Sequence, residues 1–360
     1  MTNWKRTTGR AAVAAIGLTT LIATAPAFGW DRGDVDTFAV LPAGAPMIEG
    51  LTVANDGKVY VSTFDPTGHK PAQLFVFDDD GHLLRSPLII GASTATLGLA
   101  FHPTTHALLV IDFGACKVLN VNPQNGASSV FMTLPATEPC NGSSNGLNAL
   151  TFDSFGNVYV SDSFRGTIWK TGSGGGVATN WVTDPTLKPN GIPPFGANGL
   201  QFNKAQSKLF VANTANDTLV QVLVTNTGTD LIPTPTPPPG PVSVFTNSIN
   251  GADGIVLDDQ DNIWVAANQA DEIVVVDPTG KAIAKLGDFN GIKNGVTRGL
   301  LFPASPDFSK DGKSLFVTNL ELDLRPIVGQ QSVDSQWAAQ VQQHSIAKLR
   351  AKIPPFPKGD

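Results

Sequence analysis

Cysteine is almost missing from this sequence: Cys116 and Cys140 are the two in 360 residues. So low a count excludes a disulfide-dense scaffold and the thiolate clusters of zinc and iron–sulfur sites. The two either pair, which suits an exported chain, or stand apart as small apolar residues or a free thiol. Histidine is scarce too, at 5 residues, and its one close pair, His102 and His106 in "HPTTH", falls in a Pro-containing turn where a zinc site is not expected. Charge is thin. Asp, Glu, Lys and Arg make up 15% of the chain, and 24 basic against 30 acidic side chains leave a net charge of −6. Without a basic patch there is nothing to neutralise phosphates, so nucleic acid is excluded and small or neutral partners are expected. No Gly-x-Ser-x-Gly elbow or Cys/His pair points to covalent catalysis, and "GSGGG" at 172–176 lacks the lysine of a phosphate loop.

Beyond residue 30 no apolar run approaches the roughly 20 residues needed to span a bilayer. The first 30 residues place Lys5, Arg6 and Arg10 before an apolar stretch from Ala11 to Ala23, then the small-x-small run Ala25-Pro26-Ala27. This order predicts a secretory signal peptide over 1–27, a mature chain starting near Phe28, and export to the periplasm or the medium. What remains, with 36 Gly, 27 Pro and 41% hydrophobic residues, is turn-rich and leans towards β structure.

The main signal is repetition. "KVYVSTF" (58–64), "ALLVIDF" (107–113), "NVYVSDS" (157–163), "KLFVANT" (208–214), "NIWVAAN" (262–268) and "SLFVTNL" (314–320) share one strand pattern. A turn such as "ANDG", "DSFGN" or "DDQDN" precedes most of them, and before the turn comes a second short apolar run: "GLTVA", "GLAFH", "ALTFD", "GLQFN", "GIVLD" and "GLLFP". Third and fourth strands follow. Four strands recurring six times predict an all-β fold, a six-bladed β-propeller with four antiparallel strands per blade. The last copy lacks a fourth strand, so "DTFAVLP" at 36–42 is expected to complete it and close the ring. Residues 28–360 then form one domain, expected to be a monomer. It is interrupted by a Pro-rich connection at 229–241 and by an excursion at 329–343 holding a short helix, with Trp337 capping a face or anchoring it.

Aligned on the Gly-Leu-like pair of the first strands, the preceding residues are Glu49, Leu97, Asn148, Asn198, Asp253 and Arg298. One equivalent position per blade forms a ring around the propeller axis. Two carboxylates and two amides converging there without a cation would be costly to bury. Oxygen donors without sulfur or clustered histidine select Ca²⁺, with Mg²⁺ or Mn²⁺ as alternatives and Zn²⁺ fitting less naturally. Glu49 could instead pair with Arg298 while the asparagines cap strand ends. A second tier at the ends of the next strands, Thr63, Asp112, Asp162, Asn213 and Asn319, with Ala267 breaking the series, reads as outer shell or pocket wall, or as polar strand termination.

The stretches "IEGLTV", "LNALTF", "ANGLQF" and "ADGIVLDDQDNIWVA" resemble the regucalcin and gluconolactonase family of six-bladed propeller lactonases, and more distantly the paraoxonases. The resemblance implies that Glu49, Asn198 and Asp253 are the central ligands of one divalent metal, commonly Ca²⁺, that Asn148 adds an amide ligand, and that Asp253 doubles as general base. Leu97 stands where a paraoxonase-like chain would carry a catalytic histidine, and the gluconolactonase-type arginine is missing from that register. The expected function is a metal-dependent hydrolase of lactones or related esters, with Asp253 and Arg298 as its catalytic residues. The alternative is a non-catalytic propeller whose ion is structural and whose upper face binds a ligand or protein.

Overall fold

The computed structural model describes Met1 and residues 32–141, 144–224, 238–329 and 334–352. The expected leader after Met1, most of the Pro-rich segment and residues 330–333 of the excursion lie outside them. No described helix is long and apolar enough to cross a membrane.

The chain is all-β, built of four-stranded antiparallel meanders. The first strands of these meanders are Met47–Val53, Thr96–Phe101, Leu147–Phe152, Ala197–Phe202, Ala252–Leu257 and Pro303–Phe308. Each packs beside the next, and Pro303–Phe308 packs back against Met47–Val53. The second and third meanders join into one eight-stranded sheet through a short parallel pairing of Gly176 and Val177 with Met132 and Thr133. As expected, Val35–Val40 pairs antiparallel with Ser345–Arg350 and supplies the outermost strand of the last meander. The alternating strands bury apolar clusters between neighbouring meanders, for example Tyr159, Leu200, Val211 and Val220.

The hairpin turns obey local chemistry. Asp153 accepts hydrogen bonds from the Phe155 and Asn157 amides, the Asn157 side chain and the Tyr159 hydroxyl, at 2.7–3.0 Å. Asp258 repeats the arrangement with Gln260, Asn262 and the Trp264 indole. An aspartate folded back on the two following amides makes the turn, and the aromatic donor locks it to the second strand.

One expectation is corrected here. The sixth first strand is not "GLLFP" but Pro303–Phe308, "PASPDF", which pairs with Ser314–Asn319. Residues 289–299 form a separate hairpin, Phe289–Lys293 with Val296–Gly299. Arg298 is therefore off the ring: it lies exposed on that hairpin, with a long 3.4 Å contact to Thr37. The ring register passes to Ala304. In the excursion, Ser335–Ala338 is a short helix, and Trp337 packs on Phe289 of the same hairpin with ring centroids 5.4 Å apart.

Candidate functional site

Every first strand breaks register with its partner at the same place. The ladder skips between Ile48 and Leu51, and likewise at the ring positions of the other five meanders. The irregularity frees the ring residue from the ladder and turns its side chain towards the axis. It also strands a backbone amide, which a buried hydroxyl of the second strand satisfies: Ser62 for Gly50, Ser161 for Ala149, Thr318 for Ser305, at 3.0–3.2 Å. Glycine beside the ring lets neighbours close in. A Cβ on Gly199 would lie 2.6 Å from the Asp253 carbonyl oxygen, and one on Gly254 would lie 2.4 Å from that of Ala304.

This packing brings four predicted residues together. Glu49, Asn148, Asn198 and Asp253 are all buried and line one cavity of about 40 Å³. Leu97 lines it as well. Glu49 Oε2, Asn148 Oδ1 and Asp253 Oδ1 have no hydrogen-bond partner, nor has Oδ1 of Asn268, a fifth polar residue on the same cavity. Asn268 Oδ1 backs onto Gly251, where a Cβ would lie 2.0 Å from it; the three free oxygens of Glu49, Asn148 and Asp253 in one buried space amount to an unmet demand for positive charge. Burial, reinforced by the Asp253 charge, holds the Glu49 carboxyl well above the ordinary range. Burial likewise pushes Asp253 up to about 7, although hydrogen bonds from Asn268 and Asn198 oppose the rise. Among the described residues no arginine, lysine or histidine lines the cavity. Among the described residues no group of three or more His, Cys, Asp or Glu is poised for a metal; this donor set is instead two carboxylates with amides.

The second tier, Thr63 included, does not form the pocket wall. Asp112 accepts from the Ser93 amide and hydroxyl. Asp162 accepts from the Gly146 amide and the Trp169 indole, and burial raises its pKa despite these donors. Asn213 donates to the Thr186 and Lys188 carbonyls, and Asn319 bridges Leu301, Gly299 and Ser345. These four hold loops in place and none lines the cavity. The cavity wall is one residue further on, at Phe64, Phe113, Thr214, Asn268 and Leu320. Successive strand residues point to opposite faces, so a one-residue step exchanges pocket wall for loop anchor. Cys116 and Cys140 do pair, with Cα atoms 5.7 Å apart, and staple a loop on this side.

The other end of the axis holds a larger cavity of about 790 Å³, lined by Leu51, Leu99, Leu150, Leu200, Ile255 and Pro306, among others. The two cavities share no lining residue. His102 lies at this far end, its ring tied to the Gly156 carbonyl and to the Thr104 and Thr105 amides.

Residues 115–287 match the family model described as the SMP-30/Gluconolactonase/LRE-like region. No curated protein sequence matches the chain. Among solved structures, a calcium-binding regucalcin from Agrobacterium tumefaciens is 17% identical, with TM-score 0.57, covering 87% of this chain and 94% of that one. A gluconolactonase from Xanthomonas campestris is 13% identical, with TM-score 0.56, covering 91% and 98%. A streptogramin B lyase is 14% identical, with TM-score 0.54, covering 89% and 98%. Residues 115–287 are thus an SMP-30/gluconolactonase/LRE-like region, set in a fold shared with regucalcin and gluconolactonase.

Proposed function

We propose that the protein is an exported, divalent-cation-dependent hydrolase of lactones or related esters, built as a six-bladed propeller. The observation that carries this reading is the set of unpartnered oxygens on Glu49, Asn148 and Asp253 around one buried cavity. Glu49, Asn148, Asn198 and Asp253 would hold the ion, and Asn268 would position Asp253. Hard oxygen donors of this number suit Ca²⁺, and calcium binding is stated of the regucalcin with the same fold. The Cys116–Cys140 pair fits an oxidising compartment and so supports export.

The bound ion would supply Lewis-acid polarisation of the substrate carbonyl. Asp253 accepts a proton from the attacking water through its free Oδ1, while Asn268 fixes the other oxygen from 2.9 Å. The water oxygen bonds to the carbonyl carbon, the ring C–O bond breaks, and the proton held by Asp253 passes to the departing alkoxide. The Phe and Leu wall keeps bulk water out, which strengthens every electrostatic contact inside. Arg298 takes no part from its exposed hairpin.

A second reading, a structural ion in a propeller that only binds, is favoured by the small cavity. At about 40 Å³ it takes an ion with a water or two. One experiment separates the readings: a lactone panel assayed with chelator, with added Ca²⁺, and with Asp253→Asn. Hydrolysis lost on chelation, restored by Ca²⁺ and abolished by the substitution supports the enzyme. Chelation that lowers Tm in a protein that never hydrolyses any lactone supports the scaffold.

A further inference from the structure

The walls of the cavity say more than its floor. Phe64, Phe113 and Phe195 line it on one side, and Phe302, Leu320 and Leu322 on the other. Aromatic contacts run continuously across four meanders: Phe64 to Phe113 at 6.2 Å, Phe113 to Phe164 at 5.8 Å, Phe164 to Phe195 at 5.7 Å. At the end of this arc Ile192 is 45% exposed beside Pro193, with Gln269 donating to its carbonyl.

The few polar groups on the wall are already committed. Thr214 donates to the Ala252 carbonyl and accepts from Asn198. The side-chain amide of Asn268 donates one hydrogen bond to Asp253. Arg165, the nearest cation in sequence to the arc, is paired with Glu138 and does not line the cavity. Once the floor oxygens serve the ion, no side chain on the wall is left to meet a row of substrate hydroxyls. A polyol placed here would exchange its water for phenyl rings, which is unfavourable for each buried hydroxyl.

Resting on the hydrolase reading above, we infer that the substrate is a lactone or ester with an apolar body: an alkyl- or aryl-substituted ring, not a polyhydroxylated sugar-acid lactone. The cavity of about 40 Å³ leaves room beside the ion for the carbonyl group in place of a water, so the ring and its substituent lie outside it, along the arc towards Phe195. Phe113, Phe164 and Phe195 are half-buried and sit where the substituent would lie.

The test compares δ-valerolactone, δ-decanolactone and glucono-δ-lactone with the Ca²⁺-loaded protein. We expect kcat/KM to rise about fourfold for each of the first few added methylenes, and the sugar lactone to fall about 100-fold below the decanolactone. Phe195→Ser, a change on a surface loop, should flatten the chain-length dependence. A preference for glucono-δ-lactone, or no dependence on chain length, overturns the substrate class and leaves the hydrolase intact. Binding of the non-hydrolysable δ-decanolactam and D-gluconolactam is measured by calorimetry alongside. Should no lactone be hydrolysed while the decanolactam binds and the gluconolactam does not, the apolar site stands and the hydrolase reading falls. If none of the three lactones is hydrolysed and the decanolactam does not bind, both fall.

Discussion

Asn268 donates its side-chain amide to Oδ2 of Asp253 across 2.9 Å, while its own Oδ1 backs onto Gly251. It orients the acid. Asn268→Ala should weaken Ca²⁺ binding by about 10- to 100-fold, the usual effect of losing a group that positions a ligand. Calorimetric titration of the metal-free protein with CaCl₂ reads this directly. An unchanged Kd would remove Asn268 from the centre.

A second acidic group is out of its ordinary range for structural reasons. Asp271 accepts from the Phe302 amide at 2.8 Å, yet burial, with the charges of Asp334 and Asp288, pushes its pKa up to about 8. The folded chain then holds a proton that the unfolded chain releases near 3.8. Stability from this group is therefore complete below about pH 4 and is lost as pH rises towards 8. Asp271→Asn keeps the acceptor and suits the left-handed φ of 52°. Asp307 and Asp334, each pushed up by burial to about 6, shed stability over the same range in both proteins. Urea unfolding in saturating Ca²⁺ should show the wild type losing on the order of 3 kcal/mol more than the variant between pH 5 and 8. Parallel pH profiles would refute the assignment.

Cys116 and Cys140 are 24 positions apart, so their bond closes a modest loop. In the loop-entropy account such a link contributes about 3 kcal/mol. The double change Cys116→Ser with Cys140→Ser should lower Tm by several degrees and raise proteolytic cleavage within 134–146. Equal Tm values with and without reductant would show that the bond contributes nothing.

The strand Val35–Val40 closes the molecule, and Arg32 adds an ion pair to Glu272 at 2.6 Å. Removing residues up to 40 leaves Ser345–Arg350 as an open edge beside a fold that otherwise closes on itself. The truncated chain is expected to aggregate or lose its cooperative transition, measured by size exclusion and thermal melting. A monomer melting within a degree or two of the full chain would contradict this role.

Five of the six first strands were legible because each couples an apolar run to a small residue at the irregular step. The sixth was not, since Pro303 and Pro306 stand where hydrophobic residues stood elsewhere and Asp307 turns inward to the Val53 amide. "GLLFP", one turn earlier, matched the composition, although Leu300 and Leu301 are buried for other reasons. The donors on the floor were found because an oxygen-bearing residue before glycine repeats in register. The wall was missed by one residue: Asn213 and Asn319 drew attention as polar strand ends, while Thr214 and Leu320 face the cavity. Pleat alternation fixes the face of each residue only once the pairing is known, and that pairing shifts at every ring position.

The separation of the two axial cavities carries a consequence for traffic. With the Leu51 to Pro306 girdle belonging wholly to the far chamber, a molecule lodged there touches none of the residues that line the space around Asp253, and neither occupant blocks the other by contact.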